Sequence, residues 1–126
     1  MNTKNAALLF GIVFLIVGAL GYFANPIVGP TGIFLTNPLH NIIHIASGIV
    51  LLLGAYTALG SQLALRIVGV VYALVAICGF FMVMNGMMLG VAINDADKWL
   101  HVALAAAILI AGFALPGEAQ AEAASA

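Results

Sequence analysis

The sequence predicts an all-α integral membrane protein, a bundle of four transmembrane helices with little chain outside the bilayer. Of its 126 residues, 65% are hydrophobic and only 6% are charged. A soluble domain carries about a quarter of its residues as Asp, Glu, Lys or Arg, so most of this apolar surface has to face lipid. Four continuous apolar runs approach the roughly 20 residues that a helix needs to cross a hydrocarbon core. A β-barrel would show short alternating segments instead.

Turn-forming residues separate the four runs and set where the predicted helices begin and end. Asn25-Pro26 ends the first helix, because proline restricts the residue before it and has no amide donor. Asn37-Pro38 starts the second, since Asn is a favoured N-cap and Pro suits the first helical position. The predicted spans are Ala6 to Ala24, Leu39 to Leu59, Leu63 to Met84 with an extension to Leu89 left open, and Trp99 to Leu115.

The second half of the chain is punctuated in a similar way. Residues 60–62, Gly-Ser-Gln, make a short turn between helices two and three. Asn94 caps helix four, and the carboxylates of Asp95 and Asp97 suit the dipole of its first turn. Residues 1–117 therefore form one predicted transmembrane domain, and the small, acidic segment 118–126 is predicted to be a disordered tail.

Charge and composition narrow the classes of partner. The first run follows Lys4, as in a signal peptide, but its apolar core exceeds the usual ~7–15 residues and no A-x-A-like site follows, so we predict a retained helix. A net charge of −1 excludes a basic footprint for nucleic acid. The single cysteine, Cys78, excludes an internal disulfide. Lipid is the expected partner, and a homo-oligomer or a membrane partner protein both stay open.

Basic residues near the predicted helix ends indicate an orientation. Lys4 and Arg66 fall on one side of the membrane, and Lys98 falls on the other. Cytoplasmic loops carry an excess of Lys and Arg. The sequence therefore favours a multi-pass topology with both termini in the cytoplasm.

The chain also predicts an internal duplication. Residues 10–23 align without gaps on residues 68–81, so that Gly11 falls on Gly69 and Phe14 on Tyr72. Residues 37–44 align on residues 94–101. Each even-numbered helix thus begins with Asn, has a polar third helical residue and has His at the seventh. Two copies of one hairpin, at about 6–60 and 63–116, imply a pseudo-two-fold axis along the membrane normal.

The chain's three histidines and both aspartates lie in the first two turns of helices two and four. A four-span topology places these two helix starts on one side of the membrane, opposite the N-terminus and therefore extracytoplasmic in the orientation above. His40 and His44 share a helix face, and so do Asp97 and His101, because residues four apart are neighbours on a helix. Ionisable residues within membrane segments tend to face the bundle interior. We therefore expect these four side chains to converge.

This cluster supports three interpretations from sequence. In the first, His40, His44, Asp97 and His101 bind zinc or another divalent metal, since imidazole and carboxylate are ligands that zinc accepts. In the second, the cluster is structural: Asp97 caps its helix, and the histidines join helices or face headgroups. In the third, His44 and His101 hold a b-type haem between facing helices.

Catalysis has less support than binding. A zinc hydrolase needs an open metal position and a general base, and Asp95 is the one spare carboxylate near the cluster. Ser47 lies one turn from His44, but nothing in the sequence marks an oxyanion hole. The sequence leaves enzymatic activity open and favours its absence.

Two segments resemble a known family. NPLHNIIH at 37–44 and NDADKWLH at 94–101 are similar to a family of small bacterial membrane proteins with four predicted spans, classed as a domain of unknown function. The resemblance runs from helix one to about Leu115, and it implies a location in the bacterial inner membrane without implying an activity. The matching motif positions are Asn37, His44, Asn94, Asp97 and His101.

Overall fold

A computed structural model describes residues 1–118 of the chain and confirms the four-helix bundle. Each helix is long and apolar enough to cross a membrane, so the chain is a multi-pass membrane protein. Apart from Glu118, the tail predicted at 118–126 lies outside the described residues. The helices are α1 at Thr3–Leu20, α2 at Pro38–Tyr56, α3 at Ser61–Phe81 and α4 at Asp95–Ala114.

Asparagine side chains fix the starts of three of these helices. Asn2 accepts the backbone N–H of Asn5 at 2.9 Å, which satisfies a free amide donor in the first turn of α1. Asn37 caps α2 and Asn94 caps α4 in the same manner. The start of α3 differs, because Gly60 precedes it with a φ of 85° and provides no side-chain cap.

The helices pack as two hairpins. α1 lies mainly against α2, and α3 lies mainly against α4, while α2 and α3 make a smaller contact between the hairpins. In a bilayer, close van der Waals packing drives helix association, and small residues allow it. Gly48 illustrates this in the first hairpin, because a Cβ placed there would lie 2.7 Å from the carbonyl oxygen of Gly11.

The long connections at one end of the bundle contain short strands that the all-α prediction did not include. β1 at Val28–Gly29 pairs in parallel with β2 at Phe34–Leu35, and β3 at Met87–Met88 pairs antiparallel with β4 at Val91–Ala92. These pairings satisfy backbone amides and carbonyls beside an apolar environment, where an unpaired group is costly. They lie in the two segments that precede α2 and α4.

The sequence left open whether helix three extends to Leu89. It does not, and α3 ends at Phe81. The reason is the dipeptide Asn85-Gly86, whose φ angles of 54° and 77° are both left-handed. An Asn-Gly pair with this geometry forms a two-residue hairpin turn and cannot continue a helix.

The close contact between α1 and α2 gives a first prediction. Replacing Gly48 with Val should lower the melting temperature in detergent, since overpacking a close helix contact costs about 1–3 kcal/mol. The matched control is Ala106→Val on an exposed position of α4, which should leave the melting temperature nearly unchanged. Equal effects of the two substitutions would show that the Gly11–Gly48 contact does not contribute to stability.

Candidate metal centre

The three histidines meet between the first two turns of α2 and α4. They are almost completely buried, with His40 2%, His44 4% and His101 2% exposed. Each offers a ring nitrogen, and these three nitrogens all lie within 4.8 Å of one another. A tetrahedral zinc ion binds imidazole nitrogens at about 2.0–2.1 Å, and three nitrogens this close together could hold one ion.

His40 is oriented by a hydrogen bond from the opposite hairpin. Its Nδ1 lies 2.7 Å from the carbonyl oxygen of Ala92 in β4. A carbonyl can only accept, so Nδ1 carries the proton and donates it, and in the neutral ring Nε2 is the nitrogen with the lone pair. The His40 side chain also interacts with the backbone of Leu35. Metal-binding histidines characteristically donate their other N–H to a carbonyl or carboxylate, which fixes the tautomer and the ring orientation. His40 has this arrangement.

His44 and His101 differ from His40 in the hydrogen bonding of Nδ1. The Nδ1 atom of each ring has no hydrogen-bond partner among the described residues. A buried polar atom without a partner costs roughly 1–3 kcal/mol. The side-chain oxygens of Thr36 and Asn41 are in the same condition. Each of the two imidazoles therefore has a nitrogen for which residues 1–118 provide no hydrogen bond.

Two aromatic rings from α1 and α3 form the walls of the site. The centroid of Phe14 lies 5.9 Å from that of His44, and the centroid of Tyr72 lies 5.9 Å from that of His101. Phe14 and Tyr72 are 5.1 Å apart and close the space between them. The two rings cover His44 and His101 on these sides. Sequence analysis did not assign them to the site, although their equivalence in the predicted repeat was a signal.

The hydroxyl of Tyr72 bonds Ser47 of α2. Ser47 donates to the carbonyl oxygen of Ile43 at 2.8 Å, so its oxygen is free to accept from the Tyr72 hydroxyl, which lies 2.9 Å away. Tyr72 contacts His101 with its ring and bonds α2 with its hydroxyl. Ser47, which sequence analysis considered as a partner for His44, instead bonds the backbone and Tyr72.

Asp97 lies near the histidines but is not part of the group. Its Oδ2 accepts the backbone N–H of Asn94 at 3.0 Å, while the side chain of Asn94 accepts the N–H of Asp97 at 2.9 Å. This reciprocal pair is a capping box. The ligand atoms that lie close together come from His40, His44 and His101. Metal ligation by Asp97 stays a prediction, and its carboxylate has a structural partner.

The loops above the site are tied together by two reciprocal bonds. The side-chain amide of Asn37 donates to the carbonyl oxygen of Gly90 at 2.9 Å, and that of Asn94 donates to the carbonyl oxygen of Ile33 at 2.8 Å. Each Asn thus caps its own helix with the oxygen and holds the other hairpin's loop with the nitrogen. These bonds hold the loops over the buried histidines.

Two small cavities adjoin the imidazoles. One, of about 60 Å³, is lined in part by His40, His101 and Met88. The other, of about 100 Å³, is lined in part by His44 and Phe14. Pockets for organic ligands usually measure about 300–1,000 Å³. The space at the site suits an ion or a few water molecules.

Comparison with known proteins identifies a family. Residues 4–114 match the model of a family described as "Domain of unknown function (DUF4383)". No curated protein and no solved structure matches the chain. The match covers all four helices of the bundle and both helix starts that carry the histidines.

The dual role of the capping asparagines gives a second prediction. Asn37→Asp keeps an oxygen for the cap of α2 but removes the amide donor to Gly90, so it should lower the melting temperature by less than Asn37→Ala. Loss of both the cap and the loop bond costs about 1–2 kcal/mol or more. Thermal unfolding of the three proteins in detergent measures the difference.

An equal loss in Asn37→Asp and Asn37→Ala would contradict a separate contribution of the cap. Wild-type stability in Asn37→Asp would contradict a contribution of the bond between the loops.

Proposed function

We propose that this protein, which belongs to the family described as Domain of unknown function (DUF4383), is a metal-binding membrane protein whose three histidines hold one transition-metal ion. The observation that carries the proposal is the meeting of three buried imidazole nitrogens within 4.8 Å of one another. Three imidazole ligands leave at least one coordination position for water or another group.

The state of the individual nitrogens favours a metal over a purely structural role. In a structural cluster, buried imidazoles would satisfy one another or the backbone, because buried polar groups are normally hydrogen-bonded. His40 meets this expectation through Ala92. The Nδ1 atoms of His44 and His101 do not meet it within residues 1–118. A bound metal ion would explain why ring nitrogens of three buried histidines lie so close together.

The size of the site argues against haem. A porphyrin needs a slot comparable to other organic cofactor pockets, whereas the two cavities beside the histidines hold about 60 and 100 Å³. Phe14 and Tyr72 also pack on His44 and His101 from the sides. A haem between these two histidines would have to displace both aromatic rings.

The donor set defines the class of metal and the kind of function. Imidazole suits zinc, copper, iron and nickel, and three such ligands alone do not choose among them. Asp97 accepts a backbone hydrogen bond in its capping box, and general-base chemistry needs a free carboxylate or imidazole near the metal. We therefore assign binding or transfer of the ion, not hydrolysis.

Basic residues support an extracytoplasmic location of the site in a bacterial inner membrane. Lys4 lies over the ring of Tyr56 at 5.4 Å, and the guanidinium of Arg66 lies over that of Phe113 at 4.4 Å. Both pairs involve the start of an odd-numbered helix and the end of an even-numbered one, opposite the histidines. Lys98, near the histidines, forms an ion pair with Asp95 at 3.2 Å. The excess of basic charge then marks the cytoplasmic side.

The contacts also support descent of the two hairpins from one ancestral hairpin. Positions that align in the sequence make equivalent contacts: Phe14 on His44 and Tyr72 on His101 at the same distance. Asn37 and Asn94 likewise hold each other's loops. We propose that the pair His44 and His101 belongs to the repeat, and that His40, opposite Asp97 in the alignment, supplies the third ligand.

Metal content gives the third prediction. Protein purified with a tag that contains no histidine, then dialysed against Zn²⁺ or Cu²⁺, should retain about one ion per chain. His44→Ala and His40→Ala should each retain much less, because removal of one of three ligands leaves an incomplete site. Elemental analysis of the protein measures the ratio.

Ser47→Ala is the matched control, since it removes a polar side chain one turn from His44 that is not a ligand. It should retain the metal. Retention of equal amounts of metal by wild type and both histidine variants, or of none by any folded protein, would overturn the proposal.

A further inference from the structure

Methionine is concentrated in one short segment on the same side of the bundle as the histidines. The chain has five methionines, and four of them, Met82, Met84, Met87 and Met88, lie within residues 82–88. This segment runs from the end of α3 through β3, and it lies at the same end of the bundle as the first turns of α2 and α4. We refer to residues 82–88 as the methionine loop.

The tip of the methionine loop holds two thioethers side by side. The backbone N–H of Met84 donates to the carbonyl oxygen of Met87 at 2.8 Å, and that of Met87 donates to Met84 at 3.0 Å. Residues directly opposite each other in such a hairpin project to the same face, with their Cβ atoms about 4.5–5.5 Å apart. Met84 is 76% and Met87 48% exposed. The turn therefore presents an accessible pair of sulfur atoms.

Met88 connects this tip with the histidines. It is only 7% exposed, and it lines the cavity of about 60 Å³ that also touches His40 and His101. It lines a second cavity as well, of about 150 Å³, together with Met82 and Cys78. Met88 thus shares one cavity with two of the imidazoles and another with Met82 and Cys78, and it directly follows Met87 in the chain.

The chemistry of these donors selects a soft ion. Thioether and thiol sulfur favour Cu⁺, whereas carboxylate and carbonyl oxygen favour Mg²⁺, Ca²⁺ and Mn²⁺. Zinc binds thiolate, imidazole and carboxylate. Residues 82–93 contain no Asp, Glu or His. A site made from the loop has neutral soft donors and attracts Cu⁺ in preference to the divalent ions.

We propose that the methionine loop is a thioether site for Cu⁺, and that it supplies this ion to the three-histidine site. Met84 and Met87 bind the ion at the surface, and Met88, which lines a cavity together with His40 and His101, passes it to the imidazoles. The oxidation state of copper stays the same throughout, so the transfer is an exchange of ligands. The part of this inference that concerns delivery rests on the proposed function of the histidines.

The fourth prediction uses Ag⁺, a soft ion of the same charge that does not change oxidation state, and protein labelled with ¹³C in the methionine methyl groups. Addition of Ag⁺ should shift the methyl resonances of Met84 and Met87 before those of Met88. Zn²⁺ should leave the resonances of Met84 and Met87 in place, because thioether is a poor ligand for zinc.

The matched variants are Met84→Leu with Met87→Leu, which keeps the apolar bulk of the turn, and Val83→Leu, which alters the same turn and keeps both sulfurs. The double variant should lose one bound Cu⁺ per chain in an anaerobic titration against a chromophoric chelator. It should also load the histidine site roughly tenfold more slowly at limiting copper, a change that corresponds to ~1.4 kcal/mol in the barrier. Val83→Leu should behave as wild type.

The outcomes separate the two proposals. Methyl shifts with Ag⁺ in His44→Ala, without metal in the histidine site of the wild type, would support the loop site and overturn both the proposed function and the delivery step. Metal bound by the histidines with unshifted Met84 and Met87 would overturn the loop site and leave the proposed function standing. Unchanged stoichiometry and loading rate in the double variant would also overturn the loop site.

Discussion

The burial of three imidazole rings between α2 and α4 is the constraint on which this end of the bundle depends. Inside an apolar bundle a buried polar atom without a partner is costly, because lipid cannot hydrogen-bond to it. His40 obtains a partner from the loop of the other hairpin, and the two capping asparagines tie the same loops together. Phe14 and Tyr72 then pack on the remaining rings. The bundle is joined at this end by polar contacts between hairpins, whereas apolar packing holds each hairpin together.

Much of this architecture was readable in the sequence, for physical reasons. Continuous apolar runs specify membrane helices, and Asn before a run specifies a start, so α2 and α4 begin where Asn37 and Asn94 predicted. The convergence of His40, His44 and His101 followed from helical spacing and from topology. The role of Asp97 could not be decided from the sequence, because its spacing fits both a metal ligand and a capping box. The structure places Asp97 in the capping box.

The short strands within the loops, and the end of α3, were not predicted by the sequence analysis. The strands depend on pairings between residues whose apolar character resembles that of the helices, so hydrophobicity alone allowed α3 to extend to Leu89. The signal that decides the matter is local: Asn85-Gly86 requires left-handed backbone conformations and turns the chain. Once the chain turns there, Met84 and Met87 become neighbours across the turn. Residues 82–88, which resemble the frayed end of a helix, instead form a loop that contains four methionines.

X-ray absorption at the edge of the bound metal tests the central claim most directly, since it reports the ligands of the ion itself. For protein loaded with one equivalent of Zn²⁺, the account predicts three nitrogen neighbours at roughly 2.0–2.1 Å with the multiple scattering of imidazole rings, and fewer imidazoles in His44→Ala. A first shell of oxygen without imidazole scattering, unchanged in His44→Ala, would show that the three histidines do not form a metal centre.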